Sequence, residues 1–310
     1  MSKVYFNIDD FPSLQNTIIT IGTFDGVHKG HRKILERLKE LKQNTNYNTL
    51  VFTFDPHPRK VLFPDQKDLK LITTTDEKIQ LLSDAGVDYV LVYPFTKEFS
   101  GLSSEHYIKS ILKEKLGVKK IIIGYDHRFG NNREGNIDTL RQYAPELGFE
   151  VFEISAEDIN SINISSTHIR RSIESGDVEA AHEFLGHHFF ISGTVKEGKK
   201  LGRTIGYPTA NIRITDADKI IPANGVYAVT AKILGNEYKG MLNIGTNPTT
   251  DTDDRIKVEV NIFDFDQTIY GENIRINFVK RLRDEVKFAN LDELTKQLHQ
   301  DKLDTLSVLK

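Results

Sequence analysis

Two histidines and three glycines lie close together between Gly22 and His31, where the sequence is GTFDGVHKGH. They follow a β-branched run, Thr17–Gly22, and precede an amphipathic stretch, Arg32–Lys42, so they form a strand-to-helix loop. In a parallel α/β sheet this loop borders the ligand crevice, where glycines let backbone amides approach phosphates and the helix N-terminus favours anions. We therefore predict that the histidines donate hydrogen bonds to phosphate, more strongly when protonated. The residues assigned to catalysis are His28 and His31, and those assigned to ATP or phosphate binding are Gly22, Phe24, Asp25, Gly26 and Gly30.

Two alternatives for this loop stay open. A glycine-rich turn that carries two surface histidines has the same composition. A metal site on the two histidines is weakened because Asp25 is the one carboxylate in the same turn.

A second candidate phosphate site lies at Ser165, Ser166 and Thr167, with Arg170 one helical turn further on. Hydroxyls at a helix start and a guanidinium nearby can bind phosphate oxygens together. The alternative is that the hydroxyls only cap the helix.

Polar loops also follow two other predicted strands. The segment Gly124–Gly130, with Asn131 after it, and the segment Phe54–Pro58 come directly after apolar runs. We predict that both loops reach the same crevice, because the carboxyl ends of parallel strands meet at one edge. The residues of interest here are His57, Asp126, Phe129 and Asn131, and for His57 a solvated loop position is the alternative.

A glycine-rich basic segment, Gly193–Asn211, lies in the second half of the chain. It lacks the Walker pattern, and the chain has no H-R-D catalytic loop. We predict a loop that covers phosphates, the alternative being a solvated hairpin. The residues assigned to phosphate binding here are Gly193, Lys199, Gly202, Arg203 and Gly206.

Three oxygen-bearing side chains of the second half could serve phosphoryl transfer. Thr209 and Asn211 are two residues apart, so in an extended strand both point to one face and offer hard ligands for Mg²⁺. Glu259 alternates with Val258 and Val260 and could act as a base. The alternative for all three is a polar strand face in water.

Composition limits the classes of protein to consider. The 310 residues include 38% hydrophobic and 27% charged residues, as in globular proteins, and a net charge of −3 gives no reason to expect nucleic acid binding. No apolar run approaches the length of a membrane span, and the N-terminus does not resemble a signal peptide. Zero cysteines exclude disulfides and thiolate chemistry and suit a cytoplasmic location.

The elements that must position these residues fall into two classes. Alternating short strands and amphipathic helices predict a Rossmann-like α/β domain with a parallel sheet over residues 1–186. Beyond Gly186, short strands separated by Gly, Asn and Asp predict an antiparallel six-stranded barrel with a C-terminal helix over residues 187–310. Gly235-Asn236 has the composition of a tight hairpin turn.

The motifs together resemble known families. HxGH followed by an SST-x-I-R segment is similar to nucleotidyltransferases, and Pro208–Asn211 with the segment Arg281–Glu285 resembles riboflavin kinase. In this order they resemble the bifunctional FAD synthetases of bacteria. The resemblance implies that riboflavin is phosphorylated in the second domain, with Glu259 as base and Mg-ATP on Thr209 and Asn211. It also implies that FMN is adenylylated in the first, with His28, His31 and Arg170 as catalytic residues. It implies the following flavin contacts: His57, Asp126, Phe129, Asn131, Tyr227, Asn243, Arg281, Asp284 and Glu285.

This resemblance leaves three alternatives: a chain with one of the two activities, a non-catalytic flavin-binding regulator, or another nucleotidyltransferase joined to an unrelated barrel. The expected ligands are riboflavin, FMN, FAD and ATP. No nucleic acid, membrane or obligate protein partner is expected.

Overall fold

The computed structural model describes residues 1–65, 68–125, 127–155, 165–198, 201–245 and 256–309. The chain packs into two compact units, one of residues 1–69 and 73–165 and the other of residues 70–72 and 166–310. The predicted division at residue 186 places the helices that follow residue 165 in the first domain, whereas they pack with the second unit. The predicted boundary between the two activities stays a prediction.

The first unit is built on a six-stranded sheet with the order β1-β4-β3-β2-β5-β6, in which every pair is parallel. Its strands are β1 Lys3–Tyr5, β2 Thr17–Ile21, β3 Asn48–Asp55, β4 Tyr89–Pro94, β5 Val118–Gly124 and β6 Glu150–Ile154. The central strands are almost wholly buried because their runs of Ile, Val, Leu and Phe pack against helices. The predicted α/β class is confirmed.

The helices of the first unit begin and end at recognisable capping residues. Thr74 and Glu77 form a capping box at the start of the helix Thr75–Asp84, and Gly148 in the left-handed conformation ends the helix Ile137–Leu147. The helices are α1 Lys29–Lys42, α2 Pro58–Leu62, α3 Thr75–Asp84, α4 Lys97–Ser100, α5 Ser104–His106, a π-helical continuation Tyr107–Lys115, and α6 Ile137–Leu147.

The strand order locates the crevice. From β2 the chain adds β3 and β4 on one side, and it then returns to add β5 on the other side of β2. Ligands of open α/β sheets bind at such a reversal, outside the carboxyl ends of the strands. The loops that follow β2 and β5 therefore border the crevice, as predicted.

The second unit contains a closed barrel with the order β10-β11-β8-β7-β12-β9, in which every pair is antiparallel. Its strands are β7 Phe190–Lys196, β8 Ala210–Arg213, β9 Gly225–Ile233, β10 Asn236–Gly245, β11 Lys257–Ile262 and β12 Asn273–Arg283. Its helices are α7 Ser166–Glu174, α8 Val178–Leu185, α9 Leu201–Thr204 and α10 Leu291–Val308. The six-stranded barrel with a C-terminal helix is confirmed.

The hairpin between β9 and β10 turns one residue earlier than predicted. Leu234 and Gly235 both have positive φ, at 49° and 80°, and they form the two-residue turn, whereas Asn236 begins β10. Hairpins favour turns with two positive φ values because their twist matches that of the strands, and this outweighs the steric cost at Leu234.

Candidate active sites

The predicted phosphate loop follows β2 and leads into α1. Gly22 is the first residue after β2, and Gly30 is buried within the first turn of α1. Between them Phe24 and Asp25 are also buried, with 1% and 4% of their surface exposed. The loop is thus folded into the unit, and its histidines are held at the helix N-terminus.

His28 and His31 lie against each other. Their rings stack at 3.7 Å between centroids, and His28 is the N-cap of α1, where its Nδ1 accepts the backbone N–H of His31 at 3.3 Å. This acceptor role leaves the proton of a neutral His28 on Nε2. The Nδ1 atom of His31 is buried and has no hydrogen-bond partner among the described residues, as expected of a group that contacts a ligand.

The surroundings of His31 favour its neutral form. Burial lowers the pKa of its ring well below 6.5, and the neighbouring His28 and Lys78 lower it further. The free protein therefore carries a neutral His31 at pH 7, which donates a hydrogen bond without a full charge.

Asp25 is held by a residue that the sequence analysis did not single out. Its Oδ1 accepts the backbone N–H of Thr73 at 3.0 Å and the Thr73 hydroxyl at 3.3 Å. The same hydroxyl accepts the N–H of Gly26 at 3.0 Å. Asp25 is thus engaged in holding the loop, while its assigned role in ATP binding stays a prediction.

A cavity of about 670 Å³ opens beside Gly22 and Thr23. It is lined by aromatic rings and by polar residues of the loop that follows β5. The rings are Phe54, Phe63, Phe95, Phe99, Tyr107 and Phe129, and the polar group includes Arg128, Asn131 and Arg133. An aromatic wall with a few polar groups suits a flat conjugated ligand.

Two predicted flavin contacts border this cavity and one lies apart. Phe129 and Asn131 line it, and the Phe129 ring packs 5.3 Å from Tyr107. His57 is the N-cap of α2, where its Nδ1 accepts the N–H of Arg59 at 3.2 Å. The next residue, Pro58, lines the cavity, whereas His57 does not. Its role as a flavin contact stays a prediction.

Three predicted kinase residues stand side by side in the barrel. Glu259 of β11 pairs with Asn211 of β8 on one side and with Asn243 of β10 on the other. Directly opposed residues of neighbouring strands place their side chains on the same face. The predicted metal ligand, base and flavin contact therefore form one row across three strands.

The environment of Glu259 changes its acidity. Burial raises the pKa of its carboxyl above 4.5, and Lys257 opposes the change. Val258 and Val260 point into the core, as predicted from the alternation. Asn261 is also buried, and its side-chain amide donates to the Pro208 carbonyl at 2.6 Å, which fixes the start of the segment Pro208–Asn211 against β11.

The glycine-rich segment that precedes this row is divided into different structures. Gly193 belongs to β7, where an added Cβ would meet the Arg213 carbonyl at 2.6 Å, so glycine permits the approach of β8. Gly198 lies so close to the Asn211 amide that any side chain there would overlap it. The backbone of the segment at Gly198 thus lies next to the Asn211 side chain. The phosphate contacts assigned to the segment stay predictions.

A second cavity of about 340 Å³ lies next to the segment Pro208–Asn211. Pro208, Thr209 and Ala210 line it together with Arg203 and Tyr270, and an Arg203 Nη2 atom lies 3.4 Å from the Tyr270 hydroxyl. Thr209 precedes β8 rather than lying in it. The cavity therefore adjoins Thr209, whereas the other predicted Mg-ATP residue, Asn211, does not line it.

The end of β12 carries the remaining predicted flavin contacts. Arg281 pairs with Asp284 at 2.8 Å, and the carboxylate of Glu285 lies against Gly245. Tyr227 is fully buried and donates its hydroxyl to the Ala223 carbonyl at 2.5 Å. Tyr227 lies opposite Arg281 on the neighbouring strand, so its buried ring can support that side chain. Its flavin contact stays a prediction.

Comparison with known proteins divides the chain in the same order. A family model described as FAD synthetase matches residues 10–168, and one described as riboflavin kinase matches residues 185–309. The bifunctional riboflavin kinase/FMN adenylyltransferase of Listeria monocytogenes is 39% identical over 290 residues, which cover 94% of this chain and 91% of that protein. The Escherichia coli K12 protein of the same name is 38% identical over 298 residues, covering 96% and 94%.

The chain belongs to the bifunctional riboflavin kinase/FMN adenylyltransferase family. The prediction of a transferase that uses riboflavin, FMN, FAD and ATP is thereby confirmed. A crystal structure from Streptococcus pneumoniae, titled as a macrolide-efflux protein, has a TM-score of 0.87 at 32% identity and covers 98% of both chains. Among the described residues, no helix combines the length and apolar character that crossing a bilayer requires.

Other predicted site residues lie outside the described residues or near the start of α7. Asp126 and Lys199 fall outside the described residues. Ser166 and Thr167 begin α7 and Ser165 directly precedes it, which confirms hydroxyls at a helix start. Arg170 is buried, and its Nε donates to the Lys70 carbonyl at 2.7 Å. The phosphate contacts of these residues stay predictions.

Sequence reasoning missed three residues that support the two sites of this riboflavin kinase/FMN adenylyltransferase. These are Thr73 and Lys78, which contact the loop after β2, and Asp301 of α10, which binds Arg283. Lys78 stands among the apolar positions of α3, and a cation there is a signal that could have indicated a specific partner.

Proposed function

We propose that Glu259 is the general base of riboflavin phosphorylation. A ribityl hydroxyl must lose its proton as it attacks the γ-phosphate of ATP, and a carboxylate within reach contributes typically about 10²–10⁴-fold. The observation that carries the proposal is the row Asn211–Glu259–Asn243, because it places an acid between a candidate metal-ATP residue and a candidate flavin residue.

We propose Mg²⁺ as the divalent metal of this site, held by Thr209 and Asn211. A hydroxyl and an amide offer the hard oxygen donors that this ion prefers, and few protein ligands suffice because ATP phosphates and water supply the rest. The closeness of Gly198 to the Asn211 amide supports the assignment, since glycine lets the backbone of the basic segment come this near to the candidate metal ligand. When bound, the ion would neutralise charge on the transferring group.

We propose that the loop Gly22–His31 binds ATP for adenylyl transfer and that the aromatic cavity binds the flavin ring. FMN's phosphate is already anionic at neutral pH, so this reaction needs alignment and charge neutralisation rather than a base. Loop amides, His28, His31 and the α1 N-terminus supply donors. Ser165, Ser166, Thr167 and Arg170 are proposed to contribute to the same reaction.

The proposed division of activities is adenylyltransferase over residues 1–186 and kinase over residues 187–310, which the two family matches support. We also propose a cytoplasmic location. The complete absence of cysteine and the use of ATP in both reactions support it.

The test separates the two reactions in one chain. Glu259→Ala should lose FMN formation from riboflavin by about 10²-fold or more, while added FMN and ATP still give FAD. His31→Ala should show the reverse and accumulate FMN. Chromatography of the flavins measures both. Riboflavin phosphorylation at the parental rate by Glu259→Ala would show that the base is wrongly assigned.

A further inference from the structure

The loop that follows β2 is held in a strained backbone conformation. Phe24 and Val27 have φ values of 49° and 39°, in the left-handed region that glycine favours. For a β-branched residue such as Val27 this is a genuine outlier, which persists only when the surroundings determine it. Val27 is also 1% exposed, so its strain is maintained inside the unit.

Thr73 holds the two residues immediately before Val27. Its backbone N–H and its hydroxyl both donate to Asp25 Oδ1, at 3.0 and 3.3 Å, and the hydroxyl accepts the Gly26 N–H at 3.0 Å. One threonine thus fixes a side chain and a backbone amide of the loop.

Lys78 holds the loop from α3. It is 6% exposed, and its Nζ donates to the carbonyls of Thr23 at 3.4 Å and Phe54 at 3.0 Å. Thr23 follows β2 and Phe54 lies at the end of β3, and both residues line the aromatic cavity. The ammonium therefore ties together the carboxyl ends of two strands at the crevice.

The positive charge of Lys78 affects the pKa of His31. Burial lowers its pKa to about 8, against the opposing effects of Asp25 and Asp55, so the side chain is mostly protonated at pH 7. Together with burial and His28, it lowers the pKa of His31. The charged or titratable groups that act on Lys78 and His31 are thus Asp25, Asp55 and His28.

We propose that Thr73 and Lys78 are positioning residues for adenylyl transfer to FMN, which fix the loop Gly22–His31 in the conformation that presents its amides and histidines to ATP. The inference rests on the proposed assignment of this loop to ATP. Each residue acts through the loop: Thr73 on Asp25 and Gly26, and Lys78 on Thr23.

The test uses the full chain with FMN, ATP and Mg²⁺ and measures the kcat of FAD formation. Lys78→Met keeps the apolar stem but removes both hydrogen bonds, and Thr73→Val keeps the shape but removes the hydroxyl. Each should lower kcat by about 10- to 100-fold, because a small misplacement of aligned groups is costly. Riboflavin phosphorylation by the same chain should not change. The double variant should lose less than the product of the single losses, because both residues hold one loop.

Gln80→Met is the matched control, since Gln80 lies exposed on the same helix, and it should form FAD at the parental rate. NMR titration of the histidine rings adds a readout of the Lys78 charge, because Lys78→Met and Lys78→Arg both replace the side chain but only Lys78→Met removes its charge. The pKa of His31 should rise in Lys78→Met and stay low in Lys78→Arg. Parental rates of FAD formation in folded Lys78→Met and Thr73→Val would overturn the inference. A parent chain that forms no FAD would contradict the proposed function instead.

Discussion

At the scale of single residues, the raised pKa of Glu259, the proposed base, would favour proton abstraction at a cost in stability. Burial raises the pKa of its carboxyl, which makes the carboxylate a stronger proton acceptor. A raised pKa also means that the native state binds the proton more tightly than the unfolded state does. Folding stability therefore falls as the pH rises from the ordinary pKa through the raised one.

Glu259→Gln should accordingly be more stable than the parent at pH 7 while it loses riboflavin phosphorylation, because the amide carries no charge to bury and accepts no proton. The difference in unfolding free energy should shrink as the pH is lowered and vanish below 4.5, where the parental carboxyl is protonated in both states. Urea denaturation at several pH values measures it. Glu272→Gln, at an exposed position, is the control. A less stable Glu259→Gln at pH 7 would contradict the argument.

Residue types and local spacing were sufficient to identify His28, His31 and Glu259 as candidates. They could not give the protonation of His31, because that depends on burial and on Lys78, which lies far away in the sequence. Thr73 and Lys78 escaped notice for the same reason. Their partners, Asp25 and Thr23, come from another loop, and a sequence pattern does not show such contacts.

At the scale of elements, hydrophobic periodicity predicted most of the strands and helices, but not their register. The row Asn211–Glu259–Asn243 depends on which residues of three separate strands face one another, and alternation alone leaves that undetermined. β1 was also missed, because three residues are too few to establish a period. The prediction of the barrel was correct, whereas the arrangement of its site needed the structure.

Helix α10 anchors the segment that ends β12. Asp301 is 1% exposed and accepts two hydrogen bonds from Arg283, from Nε at 2.8 Å and from Nη2 at 2.7 Å. Gln297 donates to the same carboxylate at 2.9 Å. Arg283 directly precedes Asp284 and Glu285, so the ion pair connects the last helix to candidate flavin contacts.

Asp301→Ala should destabilise the second unit by about 3–5 kcal/mol, because removal of one partner leaves the other charge partly buried and unpaired. Urea denaturation followed by circular dichroism measures this loss, and riboflavin phosphorylation should fail at a lower urea concentration than in the parent. Asp304→Ala provides the comparison, since Asp304 is exposed on the same helix and its loss should cost less than about 0.5 kcal/mol. Equal midpoints for the two variants would show that the pair contributes no net stability.

At the scale of the whole molecule, the chain combines two different chemical requirements. The first unit presents backbone amides, histidines and an aromatic cavity, which suit a reaction whose nucleophile is already ionised. The second presents a carboxylate with a raised pKa, which suits a reaction that must remove a proton. FMN is the product of one reaction and the substrate of the other. Because the two reactions are assigned to different residues, we expect that each site can be inactivated without loss of the other reaction.

A mixture of two variants, each of which lacks a different reaction, tests this independence. Glu259→Ala and His31→Ala each lack one reaction, so neither should convert riboflavin to FAD alone. Together they should do so after a lag, because FMN released by the His31→Ala chain is a small anion that diffuses to the Glu259→Ala chain. Chromatography of the flavins over time gives the lag, which should shorten as the concentration of the His31→Ala chain rises. If both variants keep their remaining activity and the mixture still forms no FAD, FMN is not released to solution and the two sites are not independent.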